Sequence, residues 1–211
     1  HLSSRRQRQM CIRDRKEFFR TTGYNGKKDL VATDQHRDAW RGAFTKPITG
    51  GPIAVGFDEY FGTDVPNWPP YCFIENDRTV GIPSEFGAAE LFINNQASQQ
   101  GPALEGWELE PILPALGDRA CKFIQREAKT AEPFLLYMPL TSPHTPLSVN
   151  DEWEGKSGLN LYADFVMETD AVVGRVLDAL RESEIEQDTL VVFTSDNGCA
   201  PYIGVGDLEK Q

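Results

Sequence analysis

Two short loops carry the side chains best suited to chemistry. The first reads Thr141, Ser142, Pro143, His144, Thr145, Pro146. A proline after Ser142 and another after Thr145 restrict both residues to extended backbone. His144 therefore sits on a stiff support, where an imidazole could bind an anion or pass a proton. A surface turn whose histidine merely meets solvent fits the same residues equally well. The second loop, about 50 residues on, reads Thr194, Ser195, Asp196, Asn197, Gly198. Its adjacent carboxylate and amide oxygens are hard donors of the kind Ca²⁺ or Mg²⁺ takes. Asn-Gly is also the commonest tight-turn dipeptide of hairpins. The residues that follow it, Cys199, Ala200, Pro201, Tyr202 and Ile203, would make a poor partner strand, however.

The elements that must position these loops follow from periodicity. Ile112, Leu113, Leu116, Ala120, Phe123 and Ile124 recur at three- and four-residue spacing, which predicts an amphipathic helix to about Lys129. After Pro133, residues 134–138 are apolar throughout, as a strand buried on both faces would be. Leu161, Phe165, Val166, Val172, Val173, Val176, Leu177 and Leu180 predict a second, longer helix, and residues 189–194 a second buried strand. Helix, strand, helix, strand is the order of an α/β domain with a parallel sheet. Ligands in such sheets bind beyond the carboxyl ends of the strands. That rule points at the two loops.

The rest of the chain narrows the class of protein. Its 211 residues carry 32 acidic and 21 basic side chains, a net charge of −11, which argues against nucleic-acid binding. No apolar stretch approaches the roughly 18 residues a membrane helix needs, so no span is expected. Cys11, Cys72, Cys121 and Cys199 form no Cys-x-x-Cys pair, and the three histidines show no zinc-binding spacing. Residues 1–20 stand apart: seven of the 21 basic groups lie between positions 5 and 20, as in an arm for an anionic surface. The string also looks like a translated sequencing adapter, and it is read as a non-native or disordered basic leader. Residues 21–110 are punctuated by Gly and Pro and predict loops and short strands, with few runs long enough for a helix. Residues 111–211 form the α/β core. Phe57, Tyr60, Phe61, Trp68, Tyr71 and Phe73 cluster in the loop-rich part, either as a loop packed by its own rings or as a wall facing substrate, with packing favoured.

Taken together, the two loops strongly resemble the sulfatase family, in both their order and their separation. Further matches of arylsulfatase type are Gly56-Phe-Asp-Glu-Tyr-Phe-Gly62 and Pro69-Pro-Tyr-Cys-Phe-Ile-Glu-Asn-Asp-Arg78, so the resemblance spans about residues 42–206. It implies a partial alkaline-phosphatase-like sandwich, with a mostly parallel sheet flanked by helices and incomplete at both ends. It further implies a calcium-dependent hydrolase of sulfated carbohydrates or aryl sulfates, in the periplasm or outside the cell. By motif, Asp196 and Asn197 would be cation ligands, and His144 would contact the sulfate and assist departure of the leaving oxygen. A phosphoric ester hydrolase of the same superfamily, or a non-catalytic relative that binds sulfated glycans, is the alternative.

Several family features are missing from these residues. The nucleophile of sulfatases is a formylglycine made within a C/S-x-P-x-R motif, and no such motif occurs. Gly81-Ile-Pro-Ser-Glu85 has glycine and glutamate at the two decisive places. The paired N-terminal aspartates are absent. Gly26-Lys27-Lys28-Asp29 lacks the tryptophan and histidine of the family's Gly-Lys-Trp-His stretch. The lysine expected after the Asp-Asn-Gly loop is not found either. The expectation is an internal piece of a sulfatase, inactive alone, with the formylglycine in a preceding segment.

Overall fold

The computed structural model describes residues 32–88 and 99–198. Residues 1–20, together with Cys11 and Cys199, lie outside them. The chain divides into two compact units, one up to Leu109 and one from Glu110.

The first unit opens with helix α1 (Asp34–Phe44). Thr33 caps it: its Oγ1 accepts from the His36 amide at 3.3 Å, and the His36 Nδ1 accepts from the Thr33 amide at 3.2 Å. This reciprocal pair satisfies two otherwise orphaned donors and commits His36 to a structural role. Trp40 is the one fully buried residue of the helix. Such a helix was not expected in the loop-rich region, because a histidine replaces the usual Glu or Gln of the capping box and a single buried side chain makes no apolar stripe. A hairpin of β2 (Ile74–Glu75) and β3 (Arg78–Thr79) pairs with β1 (Phe61–Gly62) in an antiparallel sheet. Asn76 occupies the left-handed region at its turn, φ 56°, as asparagine tolerates. Strands β4 (Glu85–Gly87) and β5 (Gly101–Ala103) form a second antiparallel pair. Phe61 stacks on Phe73 at 5.0 Å, Phe73 meets Trp107 edge-on at 5.1 Å, and Tyr71 is buried. For these rings the packing alternative holds.

The second unit is built on helices α2 (Ile112–Glu127) and α3 (Leu161–Glu182), at the places the apolar periodicity predicts. They approach closely at Gly117, where an added Cβ would come within 2.8 Å of Val172 Cγ1. Leu113, Leu147, Val149, Phe165 and Val172 form one core cluster, and Ile124, Ala179 and Leu180 another. Each fully buried apolar side chain contributes about 1.5–3 kcal/mol.

The mostly parallel sheet is not what the described residues form: their two sheets are small, antiparallel, and confined to the first unit. Residues 134–138 and 189–194 run without ladder partners among the described residues. Phe134, Leu136, Met138 and Leu140 pack on the helices, whereas Leu135 and Tyr137 between them are 80% and 46% exposed. This is strand periodicity with one face covered. Leu190, Val191, Val192 and Phe193 are all exposed, from 52% to 89%. Apolar sequence can specify a buried strand, but burial on both faces and ladder bonds on both edges need neighbours, and none of the described residues provides them.

Candidate functional site

His144 is the exposed crest of a loop that is otherwise held down. Thr145 is 4% exposed, Pro146 is fully buried, and Leu147 and Val149 enter the core with Leu113 and Phe165. On the near side, the hydroxyls of Ser142 and Thr169 of α3 are 2.8 Å apart, and Thr169 Oγ1 also lies 2.7 Å from the Phe165 carbonyl. A threonine has one hydroxyl proton. If that proton goes to the helix carbonyl, Ser142 donates to Thr169.

On the far side the anchor is Glu168, 2% exposed within the apolar stripe of α3. Its carboxylate accepts from the Asn150 backbone amide at 3.0 Å and from the Asn150 side-chain amide, which also donates to the Glu110 carbonyl at 2.9 Å. Burial pushes the Glu168 carboxyl up; the Asn150 bonds oppose this and the charges of Glu152 and Glu110 add to it. One turn earlier, Asp164 is 3% exposed and accepts from the amides of Gly155 at 2.9 Å and Ser157 at 2.7 Å. Burial alone would raise its carboxyl, but the bonds from Ser157 and Gly155 outweigh burial and hold it below the ordinary value.

The imidazole itself has a close backbone partner. His144 Nδ1 lies 2.5 Å from the Thr145 carbonyl oxygen. A carbonyl only accepts, so Nδ1 carries hydrogen and Nε2 remains for other partners.

Asp196 and Asn197 lie on an exposed loop of the same unit. Within it, Ser195 Oγ donates to the Asn197 carbonyl at 2.6 Å, and Thr194 Oγ1 to the Ser195 carbonyl at 3.3 Å. Among the described residues no three His, Cys, Asp or Glu side chains gather as a metal site would need. The Asp196 carboxylate and Asn197 amide fit calcium in kind, as neutral and anionic oxygens. They supply two of the six to eight donors it takes.

The polar residues of α3 were not singled out in the sequence. The signal was there: Asp164 and Glu168 fall four apart within the stripe Leu161, Phe165, Val172, where an unpaired charge would be costly.

The sulfatase family model matches residues 40–209. An N-acetylgalactosamine-6-sulfatase of Sus scrofa is 30% identical over 165 residues, 71% of this chain and 27% of that protein. Arylsulfatase H of Homo sapiens is 40% identical over 108 residues, 51% of this chain and 18% of that protein. An N-acetylgalactosamine-6-O-sulfatase of Bacteroides thetaiotaomicron is 29% identical, over 70% of this chain and 28% of that protein. The chain thus spans about a quarter of the length of the curated relatives it matches. A solved structure, described under glycosaminoglycan metabolism by Bacteroides thetaiotaomicron, superposes with a TM-score of 0.58 at 21% identity, covering 67% of this chain and 36% of that one. That likeness speaks for the fold. With the family model covering most of its residues and both loops inside the match, the chain belongs to the sulfatase family.

Proposed function

We propose that this chain is part of a calcium-dependent hydrolase of sulfate esters, acting outside the cytoplasm on sulfated carbohydrates or aryl sulfates. Its relatives include enzymes named for N-acetylgalactosamine-6-sulfate and for aryl sulfates. The observation that carries the reading is the contact of the His144 Nδ1 with the Thr145 carbonyl oxygen at 2.5 Å. With Nδ1–H bonded to the Thr145 carbonyl, Nε2 is the nitrogen left to act. In the imidazolium form it carries the second proton, which it would donate to a sulfuryl oxygen or give up to the departing alcohol oxygen, leaving the neutral ring. Asp196 and Asn197 would hold the cation, whose charge offsets that on the sulfuryl oxygens. On this reading the two loops face one pocket.

The test uses the longer protein that contains these residues, assayed on matched sulfate and phosphate esters. His144→Gln is expected to lower kcat on the sulfate ester by about 10²–10⁴-fold, the span of general acid catalysis, with an unchanged thermal midpoint. Undiminished turnover, or a preference for the phosphate ester, would refute the assignment. The 211 residues alone, without a C/S-x-P-x-R motif, are expected to turn over nothing and to bind calcium weakly. Micromolar calcium affinity in a calorimetric titration would contradict the two-donor site.

A further inference from the structure

The backbone that carries His144 is fixed at close range on both sides. Ser142 is tied to α3 by the hydroxyl pair with Thr169, and Thr145 and Pro146 are buried. Two residues lie between these fixed points, and the φ of Pro143 is locked by its ring. His144 is therefore the one residue of the crest whose backbone φ is not set by covalent geometry or burial. Its ring in turn depends on the Thr145 carbonyl, which it meets only if residues 143 to 145 keep their path. Farther along, Glu168, adjacent to Thr169 in sequence, grips Asn150 by backbone and side chain. Two consecutive helix residues thus hold the two ends of the loop.

We propose that Thr169 is a positioning residue for His144, acting through the Ser142 hydroxyl to keep the imidazole on the Thr145 carbonyl and so to leave Nε2 as its working nitrogen. The proposal rests on the reading of His144 as a functional group, but its geometric content can be tested without turnover. A hydroxyl at 169 does what a methyl of the same shape cannot. It bridges the helix carbonyl of Phe165 and the loop hydroxyl of Ser142 with one proton from each side chain.

The experiment is nitrogen-detected NMR of the histidine rings in the 211-residue chain, with His144 assigned by its loss in His144→Gln. In the native chain and in Thr169→Ser, the Nδ1 proton of His144 is expected to be present and slowed in exchange. In Thr169→Val and in Ser142→Ala, exchange is expected to quicken about five- to tenfold, the value of one hydrogen bond, and the Nε2–H tautomer to gain population. A native tautomer and native exchange in both variants would overturn the proposal, as would failure of serine to restore them. Should Thr169→Val not fold, Ser142→Ala decides, because it breaks the same bond without altering the helix. If instead His144→Gln leaves turnover of the longer protein intact while the NMR result stands, the functional reading fails and the positioning survives.

Discussion

The two loops that carry the candidate chemistry are built on opposite principles. The loop of His144 is clamped by polar side chains of α3, half-buried Thr169 at Ser142 and buried Glu168 at Asn150, with Thr145 to Leu147 sunk between them. The loop of Asp196 and Asn197 ends a segment in which residues 190–198 are all exposed, with the hydroxyls of Thr194 and Ser195 bonded to carbonyls one and two residues on. Within the described residues, then, the imidazole rides on a loop anchored in the core, and the oxygen pair on an exposed one. A proton donor must be held within about 0.5 Å of its productive position to help, so pre-organisation matters most at His144. Ligands for a large, flexible cation tolerate looser placement.

This contrast can be broken at several points. The largest expected effect is at Asp164, a buried carboxylate that accepts from the amides of Gly155 and Ser157 beside the clamp. Asp164→Ala is expected to cost about 3 kcal/mol in urea unfolding, the upper value of hydrogen bonds to a charged group. A loss within about 0.5 kcal/mol would show that water replaces the carboxylate, and that the clamp is not buried.

Next comes the pH dependence, where Asp164 and Glu168 act in opposite directions. Asp164 titrates below its ordinary value of 3.8 in the folded chain, so its contribution is present above that pH and lost as pH falls through the folded value. Glu168 titrates above its ordinary value of 4.5, so its contribution is present below that pH and lost as pH rises through the folded value. Thermal midpoints against pH should therefore decline from about pH 4.5 upward by the Glu168 share, and Glu168→Gln should flatten that limb. An unchanged slope in the variant would remove Glu168 from the account.

The smallest effect is expected in the other loop. Asp196→Ala and Asn197→Ala should each change stability by less than about 0.5 kcal/mol, as at exposed positions generally. A cost comparable to that of Asp164→Ala would erase the difference between the loops.

The helices of the second unit were legible because a helix buries a stripe set by 3.6-residue spacing, which is local information. The loop motifs were legible because proline and the Asp-Asn-Gly string act through their own backbone and donors. Helix α1 was not, because its stability rests on the Thr33–His36 cap and one buried tryptophan rather than on periodicity. The strands were half legible. Residues 134–140 alternate in burial as a strand should, but with a single covered face, and nothing in an apolar run says which neighbour will cover the other.

What the sequence determined alone is therefore the family resemblance and the two main helices, with His144, Asp196 and Asn197 named as candidates, all carried by contiguous residues. Tertiary structure decided that Ser142 meets Thr169 across 27 positions and that Asn150 meets Glu168 across 18. A polar side chain chooses its partner by where the core places it, and that place is fixed by the packing of helices, not by the order of residues.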